Sequence, residues 1–295
     1  MKDPNPRKEA SCLICKGKAL ELGRKWGKFR QKNYLLIQCQ KCRFAWIANP
    51  DRDFEQIYNE KYYRGQGADP QVNYFNELEN PESSIRQFEW QGILQVVKGL
   101  LTISENTSWL DYGCGNGGLV RYVKKEVGCH IIGYDTGWIA DRARQEKIPI
   151  AKYDELSHQK FDVVTAIEVL EHVENPHVIL SHIRSLMKSG GIFFYTTGNA
   201  EPFSKDLLKW NYVIPEIHIS FYTPQSLKLL LSQTGFQPKK MFFNSGYSKI
   251  YAFKVLKNLR INRLSLWQKY IPWWIIEKAL EHKFKLKQFP VGIAF

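Results

Sequence analysis

A glycine-rich turn flanked by two acidic residues is the first place where this sequence could do chemistry. Residues 109–118 read Trp-Leu-Asp-Tyr-Gly-Cys-Gly-Asn-Gly-Gly, so Asp111 ends an apolar run and glycines follow it. Glycine lets the backbone turn tightly and approach a ligand closely. A second apolar run ends at Asp135, roughly the 20 residues onward at which an acid binds a ribose hydroxyl. The pattern predicts a nucleoside-binding loop between a strand and a helix.

Two ligands compete for this loop. Gly113, Gly115 and Gly118 also satisfy the G-x-G-x-x-G dinucleotide fingerprint, whose ligand carries an anionic pyrophosphate. Asp111 would repel that group. S-adenosylmethionine (SAM) has no phosphate and carries a sulfonium and an ammonium, which a carboxylate attracts. The acid therefore favours SAM.

The order of segments after the loop carries a family resemblance. A buried strand at 161–167 is followed by Glu-Val-Leu-Glu-His at 168–172, by a helix over about 176–188, and by Ser-Gly-Gly before another apolar run. In this order the sequence strongly resembles the class I SAM-dependent methyltransferases, in particular the subgroup with this Glu-Val-Leu-Glu-His segment. The resemblance covers about residues 105–255. It implies a doubly wound α/β fold with a seven-stranded Rossmann-like sheet whose last strand is antiparallel.

Strand–helix alternation predicts the elements of that sheet. Strands are predicted at 108–112, 130–134, 148–151, 161–166, 191–197, 238–244 and 248–255, and helices over about 84–101, 176–188 and 223–234. The predicted domains are a zinc ribbon at 1–46, a helical cap or linker at 47–105, a core at 106–256 with an acceptor-side insert at 200–222, and a basic aromatic extension at 257–295.

The resemblance implies a SAM site at the carboxyl ends of the parallel strands. By resemblance Asp135 binds the ribose, Tyr153 or Asp154 lies by the adenine, and Ala166 and Ile167 line the methionine end. The predicted cofactor-binding residues are Asp111, Gly113, Cys114, Gly115, Gly117, Asp135, Tyr153, Asp154, Ala166 and Ile167. In the cap, Tyr62, Tyr63, Tyr74 and Arg86 are candidates to touch the cofactor, with ordinary packing as the alternative for each.

Two histidines are candidate catalytic bases. Methyl transfer is an in-line displacement, so the enzyme supplies position and, for a weak nucleophile, a base. His172 ends the Glu-Val-Leu-Glu-His segment, and local packing is its alternative. His218 lies in a stretch that resembles the base-containing segment of zinc-containing sugar C-methyltransferases, with structural hydrogen bonding as its alternative. Glu216 and Tyr222 could orient the acceptor. Those sugar enzymes have a further C-terminal domain, whereas about 40 residues follow the last predicted strand here, which weakens the expectation of a nucleotide-sugar acceptor.

Four of the six cysteines have metal-ligand spacing. Cys12 and Cys15 form one C-x-x-C pair, and Cys39 and Cys42 form another. Thiolates at this spacing can surround a tetrahedral zinc ion. Disulfides are the alternative, but the N-terminus has no secretory signal and reducing compartments disfavour them. We expect a structural zinc ion, and packing roles for Cys114 and Cys129.

The net charge of +13 is concentrated at the two ends. Residues 1–43 hold 12 Lys and Arg against 3 acids, and residues 254–287 hold 9 against 2. The second segment also carries large apolar side chains at Leu264, Leu266, Trp267, Tyr270, Ile271, Trp273, Trp274, Ile275 and Ile276. This mixture suits an interfacial helix on anionic lipid, RNA binding by stacking, or a helix packed on the sheet.

These patterns predict a SAM-dependent methyltransferase acting on an O or C atom of a small-molecule, sugar or glycan-like acceptor. One alternative is an RNA methyltransferase that grips RNA with its basic ribbon. Another is a non-catalytic SAM-binding module, against which the intact glycine loop and Asp135 speak. No run approaches about 18 uninterrupted apolar residues. We therefore expect a cytoplasmic protein, with contact to an anionic membrane through 257–287 as one open interpretation.

Overall fold

Two β-sheets organise the chain, one of seven strands and one of five. The computed structural model describes residues 9–69, 73–239, 245–284 and 291–294. The strands are β1 (Glu9–Ser11), β2 (Lys18–Gly27), β3 (Lys32–Cys39), β4 (Ala45–Ile47), β5 (Ser108–Tyr112), β6 (His130–Tyr134), β7 (Ile150–Ala151), β8 (Phe161–Ile167), β9 (Met187–Thr196), β10 (Ser220–Phe221), β11 (Pro238–Lys239) and β12 (Val291–Ala294). The helices are α1 (Phe54–Ile57), α2 (Glu60–Tyr63), α3 (Tyr74–Glu79), α4 (Arg86–Lys98), α5 (Gly118–Val127), α6 (Trp138–Gln145), α7 (Tyr153–Leu156), α8 (Pro176–Ser185), α9 (Pro224–Gln233), α10 (Ser245–Asn258), α11 (Leu266–Lys269) and α12 (Trp273–Phe284).

The larger sheet has the order β11-β12-β9-β8-β5-β6-β7. Strands β7, β6, β5, β8 and β9 are mutually parallel, and β12 runs antiparallel to both β9 and β11. The central strands are apolar because helices cover both faces of a parallel sheet; Trp109 and Leu110 of β5, for example, are fully buried. The predicted α/β fold with a seven-stranded sheet is confirmed.

The antiparallel strand comes from a different part of the chain than predicted. Residues 248–255 were expected to form it, but they belong to helix α10. The reason is the burial of Tyr247, Ile250 and Tyr251, whose helical spacing places them on one face. Strand β12 takes the predicted place, so the core continues beyond residue 256. Of the predicted strand 238–244, residues 238–239 form β11, and 240–244 lie outside the described residues.

Helix α10 packs against α4, and two glycines allow the close approach. A Cβ atom on Gly246 would lie 2.7 Å from the carbonyl oxygen of Gly92. Helix α4 in turn covers the start of α5, where Trp90 packs against Gly118. Helix α10 therefore packs on the segment predicted as a cap, 47–105, through α4. Among the described residues, no helix is both long and apolar enough to cross a membrane.

The smaller sheet joins the N-terminal ribbon to the acceptor-side insert. Its order is β1-β2-β3-β4-β10, and β10 pairs antiparallel with β4. Thr223, which caps α9, also donates a hydrogen bond from its hydroxyl to the carbonyl of Cys42 at 3.0 Å. The side chain of Arg43 donates to the carbonyl of Ser204 at 2.7 Å. The ribbon is thus bonded directly to the chain around residues 204–223.

Candidate active site

The glycine loop connects β5 to α5 through three left-handed residues. Gly113, Gly115 and Gly117 have φ values of 76°, 53° and 69°, a conformation that residues with a Cβ adopt only at a cost. The amides of Gly113 and Cys114 both donate to the carbonyl of Tyr134, at 2.7 and 3.1 Å. These bonds hold the loop at the carboxyl ends of β5 and β6. Gly117 is the N-cap of α5, so its role is conformational.

A cavity opens beside this loop, at the carboxyl ends of the central strands. Its lining residues are Tyr74, Arg86, Glu89, Trp90, Ile93, Asp111, Gly113, Cys114, Gly115, Asn116, Gly118, Leu119 and Ile167. Five predicted cofactor residues are among them, together with Tyr74 and Arg86 of the cap. The sequence analysis missed Glu89, Trp90 and Ile93, although with Arg86 they follow the spacing of one helix face.

Asp135 is held by the glycine loop itself. One carboxylate oxygen accepts from the Gly115 amide at 2.9 Å, and the other accepts from the Gly137 amide at 2.6 Å. Burial raises the pKa of this carboxyl above its usual range, while the two amide hydrogen bonds act in the opposite direction. Each carboxylate oxygen has a second lone pair. The oriented carboxylate can therefore still accept hydrogen bonds from a ribose diol.

Asp111 lies on the cavity wall and is only 4% exposed. Its carboxylate accepts a hydrogen bond from the Thr165 hydroxyl at 2.7 Å. Burial raises the pKa of Asp111 to about 7. A positively charged ligand in the cavity would lower that pKa, because it stabilises the ionised carboxylate. The carboxylate of Asp111 on the cavity wall therefore fits a cationic ligand such as SAM better than an anionic one.

A chain of buried charges ties the cap to the loop. Arg86 forms ion pairs with Glu77 at 2.8 Å and with Glu89 at 2.6 Å. The Asn116 side chain of the loop donates to the carbonyl of Tyr74 at 3.0 Å and to Glu77 at 3.3 Å. Two of the five guanidinium N–H groups of Arg86 are thus used by acids. The charges set the position of α3 and α4 relative to the loop.

The remaining predicted cofactor residues lie apart from the cavity lining. Ala166 is fully buried in β8. Tyr153 is 56% exposed, and its ring packs on His182 with 5.3 Å between ring centroids. Asp154 is exposed on α7. Tyr62 is buried among the neighbouring rings of Tyr58 and Tyr63. A role for Tyr153 or Asp154 at the adenine stays a prediction.

The two predicted histidines are neighbours, with ring centroids 4.9 Å apart. Nδ1 of His172 contacts the carbonyl of Ile217 at 2.8 Å, and Nδ1 of His218 contacts the carbonyl of Tyr212 at 2.6 Å. A carbonyl only accepts, so each Nδ1 carries the proton and each Nε2 is free to accept. Burial lowers the pKa of His172, and burial together with His172 lowers the pKa of His218 to about 3. Both rings are neutral near pH 7.

A buried carboxylate adjoins this histidine pair and was not predicted. Glu171 accepts hydrogen bonds from the hydroxyls of Tyr212 and Thr197. Burial, followed by the charge of Glu168, raises the pKa of Glu171 to about 8. Glu168 has a positive φ of 54° and forms an ion pair with Lys254 at 3.1 Å. Strained backbone of this kind concentrates at functional sites.

The two residues expected to orient the acceptor have other partners. Glu216 accepts from the Phe29 amide of the ribbon at 2.9 Å. The Tyr222 hydroxyl is fully buried and donates to the carbonyl of Leu170 at 2.9 Å. Instead, the rings of Phe203, Trp210 and Tyr212 are stacked in sequence, and Tyr212 lies 4.2 Å from His218 between ring centroids. This aromatic wall ends at the candidate base.

The four ribbon cysteines converge on one point. Their sulfur atoms all lie within 4.8 Å of one another, with 3.6 Å between Cys12 and Cys42 and 3.4 Å between Cys15 and Cys39. All four are free, and these separations exceed the ~2.05 Å of a disulfide. Zn–S bonds of about 2.3 Å in a tetrahedron place sulfurs about 3.8 Å apart. Backbone amides point at Cys12 and Cys39, as thiolates require. The donor set fits structural zinc.

Comparison with known proteins identifies the family. A family model described as a methyltransferase domain matches residues 84–240, just over half of the chain. The chain therefore belongs to this methyltransferase family, and the predicted membership in the class I SAM-dependent methyltransferases is confirmed. Family membership also supports SAM as the cofactor.

Individual relatives are more distant. The chain is 30% identical over 164 residues to a ubiquinone biosynthesis O-methyltransferase of Dinoroseobacter shibae. The aligned region covers 46% of this chain and 63% of the relative. A protein of the same name from Paraburkholderia phytofirmans is 34% identical over 102 residues, covering 30% and 44%. The chain thus spans less than two thirds of these relatives. A SAM-dependent methyltransferase from Archaeoglobus fulgidus has a TM-score of 0.45 at 19% identity, covering 75% of this chain and 98% of that one. An overlap of that size carries no functional inference.

Proposed function

We propose that this chain transfers the methyl group of SAM to a hydroxyl oxygen of a small-molecule acceptor. The observation that carries the proposal is a pair of carboxylates around the glycine loop: Asp111, buried on the cavity wall, and Asp135, half-buried and bonded to the Gly115 amide. Asp111 binds a positively charged group and Asp135 binds a diol, and SAM carries both kinds of group. The names of the curated relatives support oxygen as the acceptor atom.

The chain's own residues have distinct tasks in this reaction. SAM, when bound, supplies an electrophilic methyl group. Asp135 accepts hydrogen bonds from the ribose, and Asp111 stabilises positive charge in the cavity. Nε2 of neutral His218 accepts the proton of the acceptor hydroxyl as the oxygen becomes nucleophilic. The carboxylate of Glu168 favours the protonated form of His218, which offsets part of the burial cost of that charge.

The aromatic wall favours a planar acceptor. Phe203, Trp210 and Tyr212 stack with centroid separations of 4.8 and 4.7 Å and end at His218. A phenolic ring can pack beside this row of aromatic rings and present its hydroxyl to Nε2 of His218. A sugar or glycan-like hydroxyl is the second candidate, because the segment around His218 resembles that of sugar methyltransferases.

RNA is less favoured as the acceptor. Part of the ribbon's positive charge is used within the molecule: Arg30 and Lys32 both pair with Asp51, and Arg43 is bonded to the carbonyl of Ser204. The outer edge of β4 is also covered by β10. The ribbon therefore serves the acceptor side of the core, and a structural zinc ion held by Cys12, Cys15, Cys39 and Cys42 is part of the proposal.

Calorimetric titration with SAM tests the cofactor site. Asp135→Ala removes the proposed ribose acceptor, and a hydrogen bond to a charged group contributes about 1.5–3 kcal/mol, so SAM should bind roughly ten-fold more weakly or worse. Glu105→Ala removes an exposed acid before β5 and is the matched control. Wild-type affinity in Asp135→Ala would reject the site. Transfer of labelled methyl to a panel of phenols and sugars then tests the acceptor class.

A further inference from the structure

A cluster of large apolar side chains lies exposed on the segment that follows α10. Six of the twelve exposed large apolar residues in the described parts of the chain occur within 259–275. They are Leu259 (64% exposed), Leu266 (74%), Trp267 (57%), Tyr270 (84%), Trp274 (56%) and Ile275 (48%). We call this set the C-terminal apolar surface. Clustered exposed apolar side chains mark interaction sites in folded proteins.

The C-terminal apolar surface is anchored from beneath. Trp273 is only 5% exposed, its indole N–H donates to the carbonyl of Gln268 at 3.0 Å, and its ring packs against Phe88 of α4. Gln268 is buried as well, at 1% exposed. These two buried residues alternate along the chain with the exposed Trp267, Tyr270 and Trp274. The segment of α11 and α12 therefore has one side that faces the core and one that faces solvent. The expected packing of the tail on the core therefore accounts for Trp273 and leaves the outward rings without a place in the core.

Positive charge surrounds the same surface. Between Ser245 and Ile276 the sequence has six Lys and Arg residues and no Asp or Glu. Of these, Arg260, Arg263 and Lys269 are exposed. Beyond this stretch, Lys278 follows Glu277 and lies 5.6 Å from the ring of Trp274. Aromatic and aliphatic side chains bordered by cations are complementary to a bilayer with anionic headgroups. Leu259, Leu266 and Ile275 have no use in stacking on bases, which favours lipid over RNA.

This surface is joined to the cap of the SAM cavity. The Leu264 amide donates to the carbonyl of Ser83 at 2.7 Å, and Arg263 forms a β-bridge with Ser84. Two residues later Arg86 lines the cavity, and its guanidinium lies 5.0 Å from the ring of Phe253 on α10. We propose that the C-terminal apolar surface docks the protein on an anionic lipid bilayer, which brings the cavity cap next to the headgroups. The proposal does not depend on the acceptor or on methyl transfer.

Vesicle sedimentation of the full chain tests the proposal. Vesicles of phosphatidylcholine with about one third phosphatidylglycerol should sediment the protein at low salt, and raised salt should release it because the Debye length shortens. Vesicles of phosphatidylcholine alone should bind at least about ten-fold less. The double variant Trp267→Ala/Tyr270→Ala should lose about ten-fold or more of the binding. Trp26→Ala removes a tryptophan of similar exposure (49%) on the ribbon and should leave it unchanged.

A charge series separates the membrane from other partners. Arg260→Glu/Lys269→Glu should weaken sedimentation about ten-fold or more, since each cation near the surface adds about five-fold to the binding, whereas Lys124→Glu/Lys228→Glu should have a small effect. SAM titration of every variant shows that the core is intact. Equal binding of wild type and Trp267→Ala/Tyr270→Ala, or no binding to either vesicle at low salt, would overturn the proposal. So would a fluorescent single-stranded RNA that binds through the same side chains while vesicles do not.

Discussion

At the scale of single residues, two carboxylates lie around the glycine loop: Asp111, buried on the cavity wall, and Asp135, half-buried beside Gly115. Asp111 accepts a hydrogen bond from a hydroxyl and Asp135 accepts from two backbone amides, so hydrogen bonds orient both carboxylates, and the positive charge of Arg144 also acts on Asp135. Burial raises the pKa of both carboxyl groups. An environment that penalises negative charge strengthens the attraction for a cationic ligand, because the ligand relieves the penalty.

Ionisation of Asp111 should make SAM binding depend on pH. The pKa of Asp111 is raised to about 7, so the carboxyl is mostly neutral at about pH 6 and mostly ionised at about pH 7.5. SAM affinity should therefore increase several-fold over that interval, as calorimetry can measure. The variant Asp111→Asn should bind SAM weakly with a flat profile. S-adenosylhomocysteine lacks the sulfonium and should show a smaller increase. A flat profile in the wild type would show that Asp111 does not act through its charge.

His218 should affect turnover more than His172. His218 lies against Tyr212 at the end of the aromatic wall, whereas Nδ1 of His172 contacts both the Tyr58 hydroxyl and the carbonyl of Ile217, the residue before His218. A general base contributes about 10²–10⁴-fold, so His218→Ala should lower kcat by that order with SAM affinity near wild type. His182 lies on α8 beside Tyr153, away from the two candidate bases, so His182→Ala is the control and should leave kcat near wild type. If His172→Ala were more damaging and His218→Ala nearly silent, the base would be wrongly assigned.

Residue placements that depend on local spacing were predictable, and those that depend on side-chain direction were not. Asp135 follows from its position after the second apolar run, and the glycine loop requires its own residue types. Tyr153 begins helix α7, and its ring packs on His182, a neighbour that local sequence does not indicate because it comes from α8, far along the chain. Glu171 was hidden because its partner Tyr212 belongs to the irregular insert.

At the scale of elements, the ribbon and the insert at 200–222 form one structural unit. Strand β10 completes the ribbon sheet, and His218 lies two residues before it. The Ile47 amide donates to the carbonyl of Ile219 at 2.9 Å, next to His218 in the chain. In the part of the chain that the structure describes, the residues lining the cavity beside the glycine loop all lie outside the ribbon. Disturbing the ribbon should therefore affect the acceptor side and spare the cofactor side.

Loss of one ribbon cysteine tests this coupling. Cys39→Ser should lose the zinc, which elemental analysis should find at about one equivalent per chain in the wild type. Residues up to about 45 should become sensitive to protease, and turnover should fall with SAM affinity largely retained. Cys129→Ser replaces a buried free cysteine outside the ribbon and is the control. Wild-type protein without metal, or with a ribbon disulfide, would contradict the prediction.

Helix α10 shows why one element type was predicted wrongly. Residues 248–255 are rich in aromatic and β-branched residues, which favours a strand when judged locally. The close packing of Gly92 against Gly246 decides otherwise, because it lets α10 bury one face on α4. Strands β5, β6 and β8 were predicted well. Each is a short apolar run separated from the next by a helix, and this pattern is typical of buried strands in a parallel sheet.

At the scale of the whole molecule, the end of the chain closes the sheet. Strand β12 lies between β9 and β11, with Gly292 opposite Tyr195 and Ile293 opposite Phe194. Its four residues are too short to be recognised from sequence, and its partner β9 ends almost 100 residues earlier. The C-terminal segment therefore serves the core with its last strand and carries the C-terminal apolar surface on the helices before it.

Truncation should show that the last strand stabilises the whole fold. A chain that ends after Phe284 loses the antiparallel pairing of β12 with β9 and β11, so two edges that are now paired become exposed. Each unsatisfied buried hydrogen-bonding group costs about 1–3 kcal/mol, and about 2–4 °C of melting temperature is lost per kcal/mol in a domain of 150–250 residues. The melting temperature should fall by roughly 10 °C or more, and aggregation should increase. A chain that ends after Ala294 keeps the strand and should melt like the wild type. Equal melting of the two truncated chains would show that β12 contributes little to the sheet.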